Sequence, residues 1–90
     1  MVIVSYDIES DKLRTRFSKY LSKFGYRLQF SVFEIKNSKR ILENIVCEIE
    51  TNFSKKFSET DSIIILNLSK QCKKYCFGYA KKDESIMIIE

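Results

Sequence analysis

Val2-Ile3-Val4-Ser5-Tyr6-Asp7-Ile8 opens the chain with an apolar, β-branched run that gives way to polar residues at a lone carboxylate, Asp7. Such a run suits a buried strand. An aspartate at the end of a buried strand is held rigidly while still facing solvent, a setting that serves a metal ion or a phosphate-directed site better than a flexible loop. The same residue type also serves simply to turn the chain or to cap the next element. Both readings stand at this point.

Outward from this strand the pattern changes period. Glu9-Ser10-Asp11 supplies capping residues, and Leu13, Phe17, Tyr20, Leu21 and Phe24 then recur on one helical face, with Gly25 expected as the C-terminal cap. Lys12, Arg16, Lys19 and Lys23 line a separate stripe of the same expected helix, and no acid occurs between Lys12 and Arg27. Lysines on an amphipathic helix usually make a solvated face of mixed sign; this one is unmixed and suits sequence-independent contacts to phosphates. From Tyr26 the apolar residues alternate: Tyr26, Leu28, Phe30 and Val32 on one side, Arg27, Gln29 and Ser31 on the other. Phe33 and Ile35 then take the opposite parity. The segment 26–35 therefore contains a bulge, a sharp bend into a second strand, or a part buried on both faces.

Ser38 caps a second helix whose apolar stripe is Ile41, Leu42, Ile45, Val46, Ile49 and Phe53, with Glu43, Glu48 and Glu50 on its exposed side. A polar connection from Lys55 to Thr60 leads through Asp61-Ser62 into Ile63-Ile64-Ile65-Leu66-Asn67-Leu68, a run suited to a central strand. Tyr75, Phe77 and Tyr79 then alternate with Cys76, Gly78 and Ala80, an aromatic face that reads as core or subunit interface ahead of a base-stacking platform. Ser85-Ile86-Met87-Ile88-Ile89-Glu90 reads as a terminal strand in need of a partner. Helices alternating with strands at this length predict an α+β fold, a ferredoxin-like (split βαβ) sandwich spanning 1–90, with both helices on one face. The helix-free face is left for a second copy of the chain.

Composition bounds the function. Ninety residues, 44% of them hydrophobic and 31% charged, make one globular domain whose folding buries only about 60–65% of the extended-chain surface, so oligomerisation would help it. The net charge of +4 doubles in a dimer and favours anionic partners. There is no histidine, which removes the commonest general base and any Ser-His or Cys-His nucleophile. Cys47, Cys72 and Cys76 cannot all pair, and the Cys72–Cys76 spacing has neither a second pair nor a histidine to complete a zinc site. With no long apolar run for a signal peptide or a membrane span, a reducing cytoplasm is the expected compartment.

Gly25-Tyr26-Arg27-Leu28-Gln29-Phe30-Ser31-Val32-Phe33-Glu34, taken with Tyr6-Asp7-Ile8 and Arg14-Thr15-Arg16, closely resembles the CRISPR-associated protein 2 family, and the likeness extends over essentially the whole chain. Leu66 and Ile64 depart from it, where many relatives carry a tyrosine and a polar residue. The resemblance implies a ferredoxin-like homodimer in which the last strand (85–90) packs on the other protomer's sheet. It implies a place in CRISPR adaptation, where the dimer bridges dimers of the CRISPR-associated integrase, protein 1, and supports a short double-stranded DNA. It further implies magnesium-dependent endonuclease activity on single-stranded RNA or double-stranded DNA, with Asp7 as catalytic metal ligand and Tyr6, Arg14, Arg16, Arg27 and Phe33 supporting the site or holding substrate.

One carboxylate per chain is few for Mg²⁺, which commonly takes one or two together with waters and phosphate oxygens. Two Asp7 across a dimer axis would supply the pair. Glu9, Asp11 and Glu34 read more simply as caps or exposed residues, so two metals per site are not expected. A scaffold that only holds DNA asks less of the sequence, since Lys12, Arg16, Lys19 and Lys23 suffice for it. A single-stranded RNA platform of the RRM kind would need a glycine-rich RNP motif, which neither central strand carries.

Overall fold

The computed structural model describes residues 1–68 and 73–78, with only the backbone described for Lys73, Lys74 and Cys76. The opening apolar run forms β1 (Val2–Asp7), in which Val2, Val4 and Tyr6 are buried, Ile3 and Ser5 half-buried, and Asp7 exposed. Ser10 then caps α1 (Asp11–Leu21): its hydroxyl accepts from the Leu13 N–H at 3.2 Å. Leu13, Phe17 and Leu21 are the buried stripe of α1.

The helix stops earlier than its apolar spacing predicts. Ser22 is the C-cap, Lys23 and Phe24 lie in the turn beyond it, and Gly25 begins β2 (Gly25–Gln29). Gly25 is therefore not a helix cap. A Cβ there would run into the carbonyl oxygen of Glu34 on the neighbouring strand, so close backbone approach is what demands glycine. Of the alternatives for 26–35, two are realised together. β2 pairs antiparallel with β3 (Val32–Ile35), and the register slips between Arg27 and Gln29, a bulge that moves the later residues to the other parity. The turn places Ser31 at φ 65°, a left-handed conformation costing a non-glycine residue about 1–2 kcal/mol, and the Ser31 carbonyl accepts from Tyr6 N–H at 3.0 Å.

Ser38 caps α2 (Lys39–Thr51), its hydroxyl accepting from Ile41 N–H at 3.3 Å, and Leu42, Ile45 and Ile49 face inward. Phe53, expected on the stripe of this helix, lies beyond its end in a short 3₁₀ turn (Phe53–Lys56) that runs into the polar connection expected from Lys55. β4 (Ser62–Asn67) and β5 (Lys73–Gly78) complete an antiparallel sheet of order β2-β3-β1-β4-β5. The first four strands have the split βαβ arrangement: each helix connects two parallel strands with a third between them. The fold is thus the expected α+β, ferredoxin-like one, with β5 added beside β4.

One apolar cluster joins the helices to a single face of the sheet: Phe17, Leu21, Ile45 and Ile49 from above, Val2, Val4, Tyr6, Phe33, Ile35, Ile63 and Ile65 from below. Tyr75 and Phe77 pack partly buried against it, one of the two roles, core or subunit interface, expected for the aromatic face, and Tyr79 lies outside the described residues. Cys47 is exposed and unpaired, and Cys72 and the terminal strand predicted at 85–90 lie outside the described residues. No helix among the described residues is long and apolar enough to cross a membrane.

Candidate functional site

Strand register decides which side of the sheet each candidate occupies. Val4 lies opposite both Phe33 and Ile65, and all three belong to the helix-covered core. The alternate row is Ile3, Ser5 and Asp7, facing Glu34 and Val32 on one side and Leu66, Ile64 and Ser62 on the other. Asp7 thus stands on the helix-free face, at the end of a strand paired on both sides along most of its length. Across that end run Asp7, Ser62 and Gly78 in one row.

The residues named by resemblance do not all gather at Asp7. Tyr6 and Phe33 are buried on the opposite face, their rings 6.3 Å apart, with Tyr6 edge-on to Phe17 at 5.1 Å. They brace the strand from beneath. Arg27 also lies on the helix side, donating to Ser18 Oγ at 2.9 Å with its guanidinium 5.5 Å from the Phe33 ring. Arg14 is the one that reaches the Asp7 end. Its Nη1 donates to the Ile8 carbonyl at 2.9 Å, its Nη2 pairs with Asp11, and its guanidinium lies 5.8 Å from the Phe30 ring.

Of the three carboxylates weighed as neighbours of Asp7, Glu9 is exposed with no side-chain partner among the described residues, and the other two are engaged elsewhere. Asp11 is committed to Arg14. Glu34 accepts from Tyr26 Oη–H at 2.9 Å, which holds the Tyr26 phenol above its usual pKa, and it faces Ile3, four residues or about 13 Å along β1 from Asp7. Among the described residues no group of three or more His, Cys, Asp or Glu could hold a metal ion, and Asp7 has no ion-pair or side-chain hydrogen-bond partner. An unpaired, exposed carboxylate on a rigid strand fits as one ligand of a hydrated divalent ion.

The basic stripe lies elsewhere. Lys12, Arg16 and Lys19 are exposed on α1, which covers the other face of the sheet, and span about 10 Å of its length. Lys23 is past the helix end, its ammonium 6.0 Å from the Tyr20 ring, so the stripe is one residue shorter on the helix than its spacing predicts. Asp7 and the stripe are thus on opposite faces of one chain.

Periodicity gives no sign of Asp61, placed by sequence only at the start of a strand. It is the buried charged group among the described residues, 2% exposed. Its Oδ1 accepts from Glu9 N–H at 2.9 Å and from the Ser58 hydroxyl at 2.9 Å, and its Oδ2 from Ser58 N–H at 3.0 Å. The spacing Ser58-Glu59-Thr60-Asp61 is a local cue to the turn; the Glu9 bond has no local cue. Burial pushes the Asp61 carboxyl up, but the hydrogen bonds from Glu9 and Ser58 outweigh it and hold the group below its ordinary value. A carboxyl depressed in the folded state stabilises the fold fully above its unfolded-state value, and that contribution is lost as pH falls through the folded one. Urea unfolding between about pH 5 and pH 2 should therefore show a steeper loss of stability in the wild type than in Asp61→Asn, which is less stable at neutral pH. Parallel pH profiles would contradict the hydrogen-bonding assigned to Asp61.

The family model for CRISPR associated protein Cas2 matches residues 1–76. A Rhodospirillum rubrum protein named CRISPR-associated endoribonuclease Cas2 4 is 37% identical over 70 residues, covering 78% of this chain and 54% of the relative. A Mycobacterium tuberculosis protein named CRISPR-associated endoribonuclease Cas2 is 41% identical over 49 residues, 54% of this chain and 43% of that protein. A Methanospirillum hungatei protein, CRISPR-associated endoribonuclease Cas2 2, is 28% identical over 74 residues, 80% of this chain and 76% of the relative. The chain spans about half the length of the first two relatives. No solved structure matches it significantly. The strand-end aspartate, the βαββαβ order with an added fifth strand and a family match over most of the chain agree, and the chain belongs to the CRISPR-associated protein Cas2 family.

Proposed function

We propose that this protein works in CRISPR adaptation as a homodimer that binds nucleic acid and bridges the CRISPR-associated integrase, in the cytoplasm, with Mg²⁺-dependent endonuclease activity at Asp7. The observation that carries the nuclease reading is Asp7, exposed on a rigid, helix-free sheet face and without an ion-pair partner among the described residues. That face also presents half-buried Ile3, Val32, Ile64 and Leu66, apolar groups that the chain's own helices leave uncovered. A second copy packed there would bury them and bring a second Asp7 to a shared site, and the strand expected at 85–90 would extend the partner's sheet. The two Asp7 carboxylates would hold a divalent ion, which would supply Lewis-acid polarisation of a phosphate and a more acidic bound water. The chain itself supplies the carboxylate, and Arg14 holds the loop beyond it.

A specific observation favours a second reading, a scaffold that holds duplex DNA without cutting it. Lys12, Arg16 and Lys19 lie on the face of the sheet away from Asp7, so phosphates tracked by the helix do not need the carboxylate. Charge reversal at Lys12, Arg16 and Lys19 should weaken duplex binding by about tenfold or more and lower the slope of log affinity against log salt by up to about 2.7 per chain. Fluorescence anisotropy with a short duplex across a salt series measures both. Binding unaffected by the reversal would remove the α1 stripe from either reading.

A further inference from the structure

We propose that Asp61 is a positioning residue for Asp7, clamping the peptide group just beyond the strand end; its consequence for metal binding rests on Asp7 being a metal ligand. The peptide joining Ile8 to Glu9 is held at both ends by groups of opposite charge. Its carbonyl accepts from the Arg14 guanidinium at 2.9 Å, and its N–H donates to Asp61 Oδ1 at 2.9 Å. This peptide lies beyond β1, where no neighbouring strand supplies a ladder partner. Ile8, 2% exposed, anchors the intervening side chain in the core. With that plane fixed and the side chain buried, Asp7 is the last free-facing residue of a segment held on both sides.

Asp61 is itself held. Ser58 donates to it twice, through its N–H and its hydroxyl, and the backbone of Gly78 abuts the Asp61 carbonyl so closely that a Cβ there would collide with it. Gly78 has φ +77°, which an L side chain rarely adopts. A turn-forming aspartate needs only Ser58, three residues away. The bond to Glu9 crosses 52 positions and joins the α2–β4 connection to the loop behind Asp7, and this longer bond assigns the positioning role.

Amide hydrogen exchange, backbone relaxation and Mn²⁺ titration of the ¹⁵N-labelled full chain test this. In the wild type, Glu9 N–H should exchange about 100-fold or more slower than in an unstructured peptide although it lies outside the ladder, a measurement that needs no variant. In Asp61→Asn, that protection should fall about tenfold or more, residues 7–10 should gain motion, and Mn²⁺ should bind about tenfold more weakly, with Val2–Tyr6 still protected. Ser58→Ala should lower Tm yet leave Glu9 protection and Mn²⁺ affinity in place, which a merely structural role of Asp61 would not distinguish. Unprotected Glu9 in the wild type, or residues 7–10 equally ordered in Asp61→Asn, overturns the positioning role. Mn²⁺ binding unchanged in Asp7→Asn overturns the metal reading instead, and the exchange and relaxation data then decide the role of Asp61 by themselves.

Discussion

Asp7→Asn is expected to lower divalent-metal-dependent cleavage of RNA or DNA by about 1,000-fold or more, equivalent to about 4 kcal/mol of transition-state stabilisation. The side chain is exposed and takes part in no ion pair or side-chain hydrogen bond among the described residues, so the isosteric amide should change stability by no more than about 0.5 kcal/mol. What it removes is charge. An amide oxygen is a far weaker ligand for Mg²⁺ than a carboxylate, and among the described residues no group of three or more His, Cys, Asp or Glu stands by to take over the ion. Cleavage rates with Mg²⁺ and Mn²⁺, measured beside light scattering for oligomeric state, separate lost chemistry from lost assembly. A variant that cleaves as fast as the wild type would exclude Asp7 as the catalytic ligand. One that has lost cleavage but still supports spacer acquisition with its integrase would assign the cellular task to the scaffold.

The second large effect is structural. Phe17→Ala should destabilise the protein by about 3–5 kcal/mol, because it empties a fully buried site and the lining atoms relax only in part. Phe17 is the hub of an aromatic row: its ring lies 5.1 Å from Tyr6 at 89° and 4.9 Å from Phe53 at 72°, both edge-on. Such pairs add about 0.5–1.5 kcal/mol each beyond their buried area. Against a total stability of about 5–15 kcal/mol, the loss approaches global unfolding. It also withdraws the support beneath Tyr6, the residue before Asp7. Urea unfolding followed by circular dichroism measures it, with Phe17→Leu as the milder comparison at about 1–2 kcal/mol. A loss below about 1 kcal/mol for the alanine variant would mean that this face of α1 is not close-packed against β1.

Much of the fold was legible because its elements are written in short-range periods. The apolar, β-branched run that opens the chain forms β1, and Ser10 and Ser38 cap the helices expected of them. The misreadings share a cause. Phe24 continues the apolar spacing of α1 but lies in the turn, and Gly25, which reads as a helix cap, is required by the approach of the Glu34 carbonyl from another strand. Tyr26, Leu28 and Phe30 alternate as a buried face would, yet they are 58%, 46% and 76% exposed, because β2 is an edge strand and Phe30 lies in the turn beyond it.

At the candidate site the division is the same. Sequence by itself determined that a rigid strand ends in a carboxylate, that a basic stripe comes next on a helix, and that the pattern is the family's, since each depends on neighbours within a few positions. Only the tertiary structure decided that Tyr6, Phe33 and Arg27 lie on the helix side of the sheet while Asp7 lies on the other. It alone decided that Arg14 and Asp61 hold the two ends of one peptide behind Asp7. The physical reason is register: strand pairing brings residues 52 positions apart within hydrogen-bonding distance, and no period of 2 or 3.6 along the chain encodes which of them will meet.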